Sequence, residues 1–86
     1  MSRIDEIKQS IATLDRREAF FRKELDRWLK HLSVATLFGY TDDIKKNAYE
    51  VQTCKAILMR ITDDRRELID EMIKLEQGDQ DETQQF

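Results

Sequence analysis

Only a few side chains here could do covalent or acid–base chemistry, and their spacing argues against it. The single histidine, His31, has no cysteine near it at the spacing of a metal site, so it reads as a surface imidazole. The single cysteine, Cys54, falls on an apolar repeat, which makes it a packed thiol rather than a nucleophile. One cysteine cannot form an internal disulfide, and this points to a reducing compartment. Acidic pairs stand at Asp42-Asp43 and Asp63-Asp64. The second continues as TDDRREL, a helix face whose arginines offset the acids. There is no Ser/His/Asp set and no glycine-rich phosphate loop. The expectation is a protein without catalytic residues, cofactor or metal.

Basic residues are the remaining candidates. Arg16, Arg17, Arg22, Lys23, Arg27 and Lys30 form a cationic stripe, but Asp15, Glu18, Glu24 and Asp26 interrupt it. The formal net charge is −3, and charges of both signs are mixed along the chain. A phosphate backbone needs clustered cations, so nucleic acid is not an expected partner. A small anionic ligand such as a nucleotide, held by arginines between subunits, stays open as an alternative.

These residues must be positioned by helices. The sequence holds no proline and two glycines in 86 residues, a composition that suits long uninterrupted helices. Ser2, followed three residues later by Asp5, resembles a capping box and starts the first helix. Ile4, Ile11, Glu18, Leu25 and Leu32 then recur every seven residues, as do Ile7, Leu14, Phe21, Trp28 and Ala35. Gly39 supplies a left-handed stop. Thr41 caps the next helix, with Asp42 and Asp43 in its first turn, where the dipole favours negative charge. Ile44, Val51, Leu58, Arg65 and Met72 repeat likewise, beside Asn47, Cys54, Ile61, Leu68 and Leu75.

Folding the chain back at Gly39 sets Ile4 against Leu75, Ile11 against Leu68, Phe21 against Leu58 and Ala35 against Ile44. The fold class is therefore all-α: an antiparallel helical hairpin, a two-helix coiled coil. Helices are expected over 3–37 and 42–77, with a turn at 38–41. The tail, 78–86, is acidic and low in hydrophobicity, and is expected to be disordered. The two breaks in the pattern, Glu18 and Arg65, fall in adjacent layers. They are expected either to pair across the seam, setting register more than adding stability, or to reach out to water.

A two-helix seam should leave polar outer faces, and here it does not. Phe20, Leu29, Val34, Leu37 and Phe38 lie off the seam on the first helix. On the second, Tyr49, Ile57, Met59, Ile69 and Ile73 do so, and Tyr40 joins them in the turn. Apolar surface of that extent marks an interface. Self-association into a four-helix bundle accounts for it, as does a face for another protein, and the two can hold on different faces. The leftovers concentrate near the turn, where exposed loops often carry function. The plain alternative is that Phe38 and Tyr40 fold back on Ala48 and Tyr49 and staple the turn shut.

The stretch GYTDDIKKNAYE resembles the coiled-coil tip of the Gre transcript-cleavage factors. Their tip carries an acid, an apolar residue, a basic or small residue, a second acid, then Asn-Ala. Asp43, Ile44, Lys45, Lys46, Asn47 and Ala48 follow that pattern over about a dozen residues, except that Lys46 stands where the second acid belongs. In that family a helical hairpin enters the secondary channel of bacterial RNA polymerase, and the paired acids hold a magnesium ion. The resemblance therefore implies a polymerase regulator without cleavage activity. The family's C-terminal domain has no counterpart here.

The expected function is that of a small non-enzymatic interaction module, an adaptor, inhibitor or co-chaperone of bacterial or phage type. In size and outline it is similar to helical hairpins that serve as co-chaperones in bacterial secretion systems. No stretch approaches 18 consecutive apolar residues and MSRIDEIKQS lacks a signal-peptide core, so a cytoplasmic location is expected.

Overall fold

The computed structural model describes the backbone of residues 2–84 and the side chains of residues 2–78. It is a helical hairpin of two elements, α1 (Arg3–Phe38) and α2 (Thr41–Gln84). The molecule measures 70 × 21 × 13 Å, a single layer two helices wide.

Helix α1 starts where Ser2 leaves extended backbone and its hydroxyl accepts the Asp5 N–H at 3.2 Å. It ends in a Schellman motif. Gly39 adopts φ 71° and ψ 29°, the Tyr40 N–H donates to the Ala35 carbonyl at 3.0 Å, and the Gly39 N–H to Thr36 at 3.3 Å. The Tyr40 carbonyl then accepts the Ile44 N–H at 2.8 Å. One residue thus closes the first helix with its N–H and opens the second with its C=O. This shortens the turn to Gly39 and Tyr40. Phe38 belongs to α1, and Thr41 is the first helical residue of α2 rather than its cap.

The far end of α2 also differs from the pattern. The helix runs to Gln84 rather than ending at Gln77, so backbone expected to be disordered is helical through residue 84. Gly78 does not take the left-handed conformation that stopped α1. A glycine inside a helix costs only about 1 kcal/mol relative to alanine, and without proline nothing forces a stop. Residues 85 and 86 of the expected tail lie outside the described residues.

Among the described residues, all seven that are buried fall on the four heptad rows: Ile7, Leu14, Ala35, Asn47, Val51, Cys54 and Ile61. The remaining row positions are half-buried, with one exception. Leu75, opposite Ile4, is 38% exposed because α1 begins at Arg3 and leaves one turn to cover it. No described helix is long and apolar enough to cross a membrane.

Candidate functional site

The turn end of the hairpin carries an open groove of about 560 Å³. Seam residues Trp28, Ala35 and Asn47 line it, with Val34 and His31 from α1, and Tyr40 at the turn. Tyr40 and Ala35 are the two residues that a Schellman motif brings into apolar contact. Lys30, Asp43 and Lys46 supply charge to the same lining. Asn47 is the one buried polar residue among those described, and an amide in a coiled-coil row fixes register at some cost in stability.

Large apolar residues near the turn remain in solvent, and of these Tyr40 and Val34 line the groove. Phe38 stacks on Tyr40 at 5.8 Å between ring centres, yet the two are 62% and 56% exposed. Tyr49 and Leu37 are more exposed still. The rings of Phe38 and Tyr40 therefore brace each other without closing the turn over. Asp42 is exposed beside Asp43 on the first turn of α2.

Midway along the hairpin, Glu18 and Arg65 meet across the seam. The Arg65 guanidinium lies 2.9 Å from Glu18 Oε2 and 3.1 Å from Asp15 Oδ1. Its Nε and Nη2 are shielded from solvent, and their N–H bonds are poorly aligned with those oxygens. At these distances the charges attract strongly even though the hydrogen-bond geometry is imperfect. The Arg65 contact holds the Glu18 carboxyl below the usual carboxylate range, desolvation opposes it, and Arg22 adds to the lowering. Asp15 had not been assigned to this pair. The signal was available, since Asp15 flanks the row that contains Glu18.

The cationic stripe is largely occupied by its own helix. Arg22 pairs with Glu18 at 3.7 Å, Arg27 with Glu24 at 3.2 Å, and Lys30 with Asp26 at 3.2 Å. Arg16 donates to the Thr13 hydroxyl, and Arg27 also lies over the Trp28 ring. Such i,i+3 and i,i+4 pairs leave little free charge for an anion.

Cys54 is buried, and burial pushes its thiol pKa up, with Glu24 and Glu50 adding to the shift and Arg27 opposing it. A thiol kept protonated is a poor nucleophile. His31 packs against Trp28 at 5.6 Å and lines the turn groove. Among the described residues, no group of three or more His, Cys, Asp or Glu could hold a metal ion.

Of the apolar residues assigned to an interface from sequence, ten are exposed: Phe20, Leu29, Val34, Leu37, Phe38, Tyr40, Tyr49, Met59, Ile69 and Ile73. Ile57 is half-buried, lining a shallow groove with Arg17, Arg60 and Ile61. No protein-family model, curated protein or solved structure matches the chain.

Proposed function

We propose that this protein is a non-enzymatic protein–protein interaction module. It self-associates as a helical hairpin and engages another protein at its turn end. The observation that carries this reading is the set of Val34, Leu37, Phe38, Tyr40 and Tyr49, all more than half exposed within one turn region. Aromatic residues at the rim of an apolar groove are the composition that interface hot spots favour. Lys46 beside that groove suits a partner segment with an apolar anchor and an adjacent acid. A cytoplasmic location accords with the single reduced cysteine.

The test is capture of binding proteins on the purified hairpin, with a Phe38→Asp/Tyr40→Asp variant in parallel. The captured partner is then purified and titrated against both forms. A partner bound by the native chain and lost with the variant supports the reading. A partner retained by the variant moves the contact to the helix flanks.

A second reading, regulation of RNA polymerase through the tip, draws on the position of Asp43 and Lys46 in the groove lining. It expects polymerase among the captured proteins and expects Asp43→Ala to abolish the effect on transcription while leaving the hairpin folded.

A further inference from the structure

The two flanks of the seam are unequally covered. Six of the seven buried residues belong to the rows headed by Ile7 and Asn47; Val51 alone comes from the other two rows. The helices are therefore rotated so that the Ile7 and Asn47 rows point at each other. The rows headed by Ile4 and Ile44 lie along one edge, half-exposed.

On the buried side, charged residues bridge the seam near the chain ends, as where Arg3 meets Glu71 at 2.8 Å, while the turn groove and one of about 470 Å³ beside Leu14 and Leu68 lie along the same side. On the other side, the half-exposed Ile11, Leu25 and Leu58 border four apolar residues that stay in solvent. Those four are Leu29, Met59, Ile69 and Ile73. At mid-length this open flank holds a shallow groove of about 450 Å³, lined by Arg22, Lys55, Leu58 and Met59 among others.

We propose that the open flank is covered by a second copy of this chain. The two-fold axis runs parallel to the helices, so that α1 of each copy lies on α2 of the other. The proposal rests on the self-association in the reading above and adds the face and the orientation.

Charge is the first support. On the open flank α1 presents Asp5, Asp15 and Asp26 with Lys8 and Arg22, whereas α2 presents Lys45, Lys55 and Arg66 with Glu76. Acid thus predominates on one helix and base on the other, even though Asp15 also meets Arg65 and Asp26 meets Lys30. Stacked this way, Asp15 meets Arg66 of the second copy and Asp26 meets Lys55, and the symmetry makes both contacts twice. Lys55 also comes near Arg22, whose charge is already shared with Glu18. The opposite, head-to-tail stacking would set Asp15 against Asp26.

Size is the second support. The same register places Met59 over Ala19, Ile69 over Ala12 and Leu29 over Ala48. Each large side chain meets a small one at the matching height, as interdigitated layers require. Ile73 meets the aliphatic stem of Lys8.

Area is the third. A face as long as α1, about 54 Å, and 21 Å wide offers on the order of 1,000 Å². A standard interface needs about 800 Å² from each partner. Every neighbouring helix pair in the resulting bundle is antiparallel, and both turn grooves emerge at the same end. Two grooves side by side would bind a repeated or dimeric target with avidity.

The experiment mixes a chain carrying Ala19→Cys with one carrying Met59→Cys under mild oxidation, after sedimentation has measured the mass of the native chain. The native protein, whose only cysteine is buried in the seam, is the control. Phe20→Cys controls for the other flank, because Phe20 is 58% exposed and Met59 68%. The expected result is a native dimer and a disulfide-linked species only in the Ala19→Cys plus Met59→Cys mixture.

A dimer in which Met59→Cys links to itself overturns the orientation and indicates head-to-tail stacking. A dimer linked through Phe20→Cys overturns the face but leaves self-association standing. A dimer linked by none of these overturns the register. A monomer overturns the proposal and the self-association together, while binding of another protein at the turn is judged separately by the capture experiment. As a second measurement, Asp26→Lys should weaken the dimer, and adding Lys55→Asp should restore it. Failure of the second change to restore it counts against the pairing.

Discussion

The closed and open flanks of this hairpin are built from one heptad repeat, yet they end in different states. Ile61, from the row that points across the seam, is 1% exposed, whereas its neighbour Leu58 is only half-buried. The two are both large aliphatic residues on the same helix. The difference lies in rotation: a few tens of degrees decide which row meets the other helix and which borders solvent. Burial in a two-helix layer is therefore set by phase as much as by hydrophobicity. A second layer would be needed to finish the open side.

The largest effect expected from this contrast is on stability. Ile61→Ala removes packed atoms from a fully enclosed position and should cost about 3 kcal/mol in chemical denaturation, within the usual range for such changes. At dilution that keeps the hairpin single, Leu58→Ala should cost about half as much, since part of its surface then touches water. As the concentration rises and a second copy covers the open flank, that loss should grow toward the Ile61→Ala value, because a dimer's stability depends on concentration. Equal costs in the single hairpin would break the contrast.

The next effect concerns acid. Glu18 lies in the half-exposed row and is paired with Arg65, while Glu71 closes the other flank by pairing with Arg3. The partner arginine in each case lowers the carboxyl from its ordinary 4.5. A carboxyl lowered by folding stabilises the native state above its unfolded value, and that stability is lost as pH falls through the folded value. The native chain should therefore weaken as pH drops below about 4.5. Glu18→Gln should flatten that decline more than Glu71→Gln, because the Glu18 side chain is 21% exposed and that of Glu71 42%. Denaturation across a pH series reads this directly, and the reverse ranking would make the Arg3–Glu71 flank the better sheltered one.

How much of this was legible in the sequence depended on period and on sign. The heptad rows, the stop at Gly39 and the placing of Glu18 and Arg65 in adjacent layers all follow from spacing, because a helix converts spacing directly into direction, whereas spacing left open whether the two would pair or reach out to water. The rotation of the helices did not follow. Rows starting at Ile4 and Ile7 look equivalent in sequence, and only packing separates them. The turn was read one residue too long at each side because Tyr40 serves both helices, a double use that no residue type announces. The groove of Trp28, Val34, Tyr40 and Lys46 was also hidden, since it joins residues of two helices that lie on the same flank only once the phase is known. The end of α2 was misread for a plainer reason. The expected end at Gln77 lies just before Gly78, and a glycine permits a left-handed stop without requiring one.

The two glycines supply the smallest effects, and they should differ in sign. Gly39 holds φ 71°, and no atom lies within 4 Å of an added Cβ, so Gly39→Ala is opposed by backbone strain alone. It should cost about 1 kcal/mol. Both flanks should loosen together, because the turn fixes the phase of the two helices relative to each other. Gly78 also has open space around it but sits in helical backbone. Gly78→Ala should therefore add helicity in far-ultraviolet circular dichroism and stabilise α2 locally by about 0.5 kcal/mol. That gain should leave the denaturation midpoint nearly unchanged, since α2 beyond Gln77 extends past the start of α1. A clear rise in the midpoint would mean that the last turns of α2 are coupled to the seam after all, and that the closed flank reaches further down the hairpin than the Arg3–Glu71 pair.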